Sequence, residues 1–139
     1  MYKVFQQKTF DKYDQPAREK AKKFWFANGF LCKDNEDEYG VDLVVEKDGR
    51  RFYCEVEVKT VWHGQHFKYD SIHIPSRKSK FLNKPTKFMI FNNSMTMAAL
   101  ISRSAVLEAT MKTVANVNIP HGERFYDVPL DKITFISTL

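Results

Sequence analysis

The sequence predicts one mixed α/β domain, a central mixed β-sheet flanked by helices, and three features predict it. An amphipathic helix pattern runs from Asp14 to Gly29, a two-stranded hairpin pattern follows around Lys47-Asp48-Gly49-Arg50, and short apolar runs separated by turn residues fill the second half. A chain of 139 residues can bury one core but not two joined by a linker, so residues 1–139 are read as a single domain. An apolar fraction of 43%, with twelve Phe, six Tyr and two Trp, belongs to a folded protein rather than a disordered one.

In the helix, Asp14 is positioned to cap, Pro16 to occupy the first turn, and Gly29 to supply the left-handed residue after the last turn. Ala17, Ala21, Phe24 and Trp25 share the inward face, while Arg18, Glu19, Lys22 and Lys23 give the outward face a positive bias. A polar stretch, residues 33–38, leads into two β-rich runs, 41–46 and 51–62. In the second run Cys54, Val56 and Val58 alternate with Glu55, Glu57 and Lys59, so an apolar row faces the core and two carboxylates and an ammonium share the other face.

Residues 63–69 read as a loop rich in His, Gly and aromatics, and 71–75 as a short extended piece. A basic run follows, comprising Arg77, Lys78, Lys80, Lys84 and Lys87. Residues 87–92 and 97–102 read as paired strands joined by Asn92-Asn93-Ser94, and 105–115 as a short helix capped by Ser104. The tail, 122–129 and 133–136, reads as an added strand or arm that closes the domain.

The net charge of +5 favours anionic partners over acidic repulsion, with nucleic acid ahead of a membrane surface once the charges cluster as they do at 77–87. Two cysteines, Cys32 and Cys54, both among strand-forming residues, form neither a disulfide framework nor a zinc motif. The opening residues contain no apolar leader and no segment has the length of a membrane span, so a reduced, cytoplasmic setting without membrane contact is expected. The four histidines, His63, His66, His73 and His121, have no compact zinc-ligand spacing and are expected on loop surfaces or against phosphate.

The chemistry centres on Asp42 and, on the adjacent strand, Glu57-Val58-Lys59. Two carboxylates brought together by a hairpin suit a hard divalent cation bound through oxygen. A lysine two residues further along the same face reaches an attacking water, or neutralises charge building on a phosphate.

Read with its surroundings, Tyr39-Gly40-Val41-Asp42-Leu43-Val44-Val45 followed by Phe52-Tyr53-Cys54-Glu55-Val56-Glu57-Val58-Lys59, the segment resembles the PD-(D/E)xK nuclease superfamily. That superfamily includes restriction endonucleases, Holliday-junction resolvases and phage-type exonucleases. The resemblance spans residues 14–102, and Val41 stands where many members have proline. It implies a restriction-endonuclease-like core and a Mg²⁺- or Mn²⁺-dependent enzyme that hydrolyses DNA phosphodiester bonds. On that footing Asp42, Glu57 and the Val58 carbonyl are metal ligands, and Lys59 is the catalytic lysine.

Members often add a carboxylate from the first helix; Glu19 is the available residue, with an ion pair to Lys23 as the competing role. Glu55, on the Glu57 face, is either a further ligand or an ion-pair partner of Arg51 or a neighbour. Arg77, Lys78 and Lys80 are the expected phosphate contacts, competing with a solvated basic turn. Trp62, Phe67 and Tyr69 either stack on unpaired bases or anchor the loop. Structure-selective or nonspecific cleavage, resolvase-like or exonuclease-like, fits a chain without a separate recognition domain, and a homodimer would allow both strands to be cut. The competing function is a catalytically inactive nucleic-acid-binding module.

Overall fold

The computed structural model describes residues 7–37, 40–115 and 120–139, with backbone alone for 7–11. Glu38 and Tyr39, which fall in the predicted polar stretch and in the segment before Asp42, and the opening residues 1–6 lie outside the described residues. The elements are α1 (Gln7–Ala27), β1 (Leu31–Asp34), β2 (Leu43–Lys47), β3 (Arg50–Val58), β4 (Ser71–Pro75), a 3₁₀ helix (Ser76–Asn83), β5 (Thr86–Phe91), β6 (Met97–Ile101), α2 (Arg103–Glu108), β7 (Thr110–Val114), β8 (Glu123–Pro129), a 3₁₀ turn (Leu130–Lys132) and β9 (Thr134–Ser137).

The fold is mixed α/β, with few helices and a mostly antiparallel sheet of order β1-β2-β3-β5-β6-β9, in which β3 and β5 run parallel. A second sheet, β4-β8-β7, packs on it. The expectation of a sheet flanked by helices is met in part, because a second sheet shares one of its faces with α2. Helix α1 covers one face, through Ala17, Ala21 and Trp25 against Leu43, Val45, Cys54, Val56, Met89 and Phe91. The second sheet and the short α2 cover the other, where Ile72, Ile74, Val106 and Val128 meet Phe88, Ile90, Ala99 and Ile101. Period-two alternation in β5 assigns its residues to these two cores by parity, as the pleat requires.

Helix α1 begins about two turns earlier than the sequence suggested. Asp14 is not a cap but pairs with Arg18 one turn on at 3.1 Å, and Pro16 lies inside the helix. Tyr13, in the turn before Pro16, is partly buried against the α1-side core. The C-terminus follows expectation: Gly29 has φ +88°, its N–H bonds the Phe26 carbonyl at 3.0 Å, and the Phe30 N–H bonds that of Trp25 at 2.9 Å. That pair of bonds satisfies the last carbonyls of the helix, and the left-handed φ costs glycine nothing.

The hairpin forms as predicted, with Lys47 opposite Arg50. Asp48 (φ 50°) and Gly49 (φ 78°) both take positive φ, the geometry of a two-residue turn that matches strand twist. Strand β1, whose last two residues fall in the predicted polar stretch 33–38, pairs antiparallel with β2. The predicted helix over 105–115 is two elements. Ser102, not Ser104, caps α2 by accepting the Ala105 N–H at 3.1 Å, and Thr110–Val114 forms β7 against β8. Among the described residues no helix is long and apolar enough to cross a membrane.

Candidate active site

Strand β3 extends past the start of β2, since Leu43 pairs with Cys54 and the ladder ends there. The Val56 N–H on that edge is left without a ladder partner, and the Asp42 carboxylate accepts it at 2.9 Å. The Asp42 N–H in turn donates to Glu55 Oε1 at 3.2 Å. The turn into β2 thus places Asp42 beside Glu55, which is only 8% exposed although it is acidic.

Glu55 and Glu57 point to the face that Phe88 and Ile90 share, toward the second layer, because the apolar Cys54 and Val56 claim the α1 side. The 3₁₀ helix closes over them. Lys78 Nζ donates to Glu55 Oε2 at 3.0 Å and lies 4.0 Å from Glu57 Oε2, with its side chain 13% exposed. In a 3₁₀ helix residues three apart eclipse. Lys78 and the buried Phe81 therefore share the inner face, and Arg77 and Lys80 share the outer one.

The electrostatics are unbalanced. Burial, and then the adjacent Glu55 charge, push the Asp42 carboxyl from 3.8 up to about 7, against the stabilising Val56 N–H and the Lys78 charge. Asp14, reaching from α1, is raised by burial and by Asp42, and lowered by Arg18 and Lys78. The helix carboxylate coupled to the site is therefore Asp14. Glu19 instead pairs with Lys22 at 3.1 Å on the outer side, where Lys22 also holds Asp34 at 2.9 Å.

The predicted site residues fall into two groups. Asp42, Glu57 and Glu55 are gathered, with Lys78 among them rather than free at the surface. Arg51 is taken by Glu46 at 3.0 Å. Lys59 continues the Glu55-Glu57 row one step past the strand end, its N–H bonding the Phe91 carbonyl at 2.9 Å, and its side chain lines the next cleft. Val58 packs its side chain on the α1 side. Lys80 lines a small depression with Gly40 and Val41, next to Asp42, and Arg77, at 70% side-chain exposure, lies 3.9 Å from Glu123.

Sequence reading missed the roles of Asp14 and Lys78. A 3₁₀ periodicity linking Lys78 to Phe81 was the available signal for the second. Trp62 and Phe67 prove to be core residues, packed edge-on at 5.4 Å, whereas Tyr69 is 55% exposed. Among the described residues, no group of three or more His, Cys, Asp or Glu is arranged to hold an ion unaided. No protein-family model matches the chain, and no curated protein sequence matches it significantly.

Proposed function

We propose that the chain is a divalent-metal-dependent nuclease on a restriction-endonuclease-like core, hydrolysing DNA phosphodiester bonds in a structure-selective or nonspecific manner. The observation that carries this reading is the burial of Asp42 against Glu55. Two adjacent acidic groups at the mouth of a hairpin, one driven to hold a proton near neutrality, destabilise the fold unless a cation relieves them. The order of elements, a helix, then the hairpin, then β5 parallel to β3, supports the core assignment.

The donor set fits Mg²⁺ or Mn²⁺, hard ions bound through one or two carboxylates with water and substrate phosphate completing the shell. Asp42 and Glu57, with Glu55 between them in the row, would hold the ion, and the Val58 carbonyl is a further oxygen at the strand end. When bound, the ion supplies Lewis-acid stabilisation of the phosphate and a more acidic water. Lys78 bridges Glu55 and Glu57 and offsets their charge. Lys59, next in the row, is placed to neutralise charge on the phosphate or to orient the attacking water. Arg77 and Lys80, on the solvent side of the 3₁₀ helix, suit contacts to the phosphate backbone.

A second reading, an inactive nucleic-acid-binding module, is favoured by one observation: the Lys78 ammonium already offsets the Glu55 charge. A homodimer would supply the second site needed to cut both strands of a duplex, and a gel-filtration mass of one chain argues against it.

The experiment is cleavage of labelled single-stranded, duplex, flap and junction DNA in Mg²⁺ or Mn²⁺, with Lys59→Ala and Glu57→Gln beside the wild type. Metal-dependent cutting lost in both variants supports the nuclease. Binding without cutting in all three moves the assignment to the inactive module.

A further inference from the structure

Beyond Lys59 the β3 row opens into a cleft of about 550 Å³, in the range of pockets that enclose a small-molecule ligand and too large for a lone phosphate. Its lining includes Lys59, Lys68 and Lys112 together with His63, His66 and His73, against Asp70 and, behind the lining, Asp127, which pairs with Lys112. On the wall formed by the second sheet, Asp127 accepts from Ser71, lies 3.1 Å from His73 Nε2 and bonds Lys112 Nζ at 2.9 Å. Ser71 bonds Asp127 rather than His73, which is not the arrangement of a nucleophile and its base.

The wall is held rigidly. The Asn93 N–H bonds the Trp62 carbonyl at 2.8 Å, Asn93 Nδ2 the Thr60 carbonyl at 2.9 Å, and Asn92 Nδ2 the Gly64 carbonyl at 2.8 Å. Trp62 and Phe67 pack below as buried anchors, Phe67 carries Tyr69 edge-on at 5.7 Å, and Lys68 Nζ lies over the Tyr69 ring at 5.2 Å, leaving the rest of that ring exposed at the mouth.

We propose that this cleft binds an unpaired nucleotide of a DNA strand, its base stacked on Tyr69 and its phosphates met by Lys59 and Lys68. The chemistry asks for a ligand that is both anionic and flat. An excess of cations selects for phosphate, and a pre-set exposed aromatic ring at the same mouth selects for a base face. Lys59, shared between the cleft and the carboxylate row, sets the order along the strand: the unpaired nucleotide lies in the cleft and the phosphate beside it lies against Glu57. The inference rests on the nuclease reading for its substrate. It makes that substrate one with unpaired nucleotides, such as a flap, an overhang or a frayed end.

The test is fluorescence anisotropy of labelled oligothymidylate and of a labelled blunt hairpin duplex, in EDTA so that no cleavage occurs. The proteins are wild type, Tyr69→Ala, Tyr69→Phe and Lys68→Glu, each with its melting temperature recorded. Oligothymidylate is expected to bind more tightly than the hairpin, Tyr69→Ala to weaken it about tenfold, as loss of one stacked base does, and Tyr69→Phe to restore it. Lys68→Glu is expected to weaken binding and flatten its salt dependence. Because Tyr69 and Lys68 are exposed, the melting temperatures should stay at the wild-type value. No preference for the single strand, or equal binding by Tyr69→Ala, overturns the proposal. A Mn²⁺ melting shift measured on the same proteins separates the two readings. A shift with no Tyr69 effect removes the cleft and leaves the nuclease, whereas strand binding with no shift keeps the cleft and removes the nuclease.

Discussion

The two faces of strand β3 are built on opposite principles. Toward α1, Cys54 and Val56 join an apolar core in which Trp25 meets Phe24, Phe30 and Phe52 edge-on at 5.0, 5.5 and 5.1 Å. Toward the second sheet the same strand buries Glu55 beside Asp42, relieved by one lysine. The first face gains stability through apolar burial and quadrupole-matched rings. The second loses it, because carboxylates are withdrawn from water with incomplete compensation. A sheet that carries both shows where stability is made and where it is spent, and the second face is where function is expected.

The polar face is disrupted most severely through chemistry. Replacing Lys59 by Ala or Glu57 by Gln should lower metal-dependent DNA cleavage by about a hundredfold or more, the loss typical of a group that stabilises developing charge. Neither change should lower the melting temperature appreciably, because Lys59 lies past the strand end and Glu57 is only half-buried.

On the apolar face the expectation is reversed. Trp25→Ala should cost about 4 kcal/mol in denaturant unfolding, from lost transfer energy and the cavity left under α1.

Lys78→Ala should cost roughly 3 kcal/mol at pH 8, because Glu55 is then buried without its partner. Lys78→Met, which keeps the packing volume, should not recover it. Equal stability of Lys78→Ala and wild type would mean that the ion pair contributes nothing net.

The smallest effect has the opposite sign. The Asp42 carboxyl is raised from 3.8 to about 7 in the folded protein, so the native state binds the additional proton between those values. This contribution to stability is fully present below about pH 4 and is lost as pH rises through about 7. Asp42→Asn can still accept the Val56 N–H but carries no charge. Urea unfolding should therefore find it more stable than wild type by about 1–2 kcal/mol at pH 8, with the advantage gone by pH 4. A variant less stable at both pH values would show that Asp42 is a net stabilising group.

Elements with strong periodicity were legible in the sequence, and elements without it were not. The hairpin and the Gly29 terminus announced themselves because Asp48-Gly49 and Gly29 occupy backbone conformations that few residues tolerate. Strands β1 and β7 did not, because they lie at sheet edges with mostly exposed side chains and so carry no alternation to read. Asp14 reads as a cap in the sequence because Pro16 imitates a first helical turn, whereas the helix runs through Pro16 from Gln7 with Tyr13 packed on the α1-side core. In the site, the Glu55-Glu57-Lys59 face followed from period two alone. The identity of the buried cation did not, because Arg77, Lys78 and Lys80 are equivalent until a 3₁₀ turn sends one of them inward.

If the polar face of β3 is made for a divalent cation, that ion should stabilise the native state. The most direct test is thermal unfolding at pH 8 in EDTA and in rising Mn²⁺, for wild type and for Asp42→Asn. The wild-type melting temperature should climb with Mn²⁺ as a ligand of the native state requires, with little or no climb in the variant. A wild type that ignores Mn²⁺, or a variant that gains as much as wild type, would contradict that role of the face.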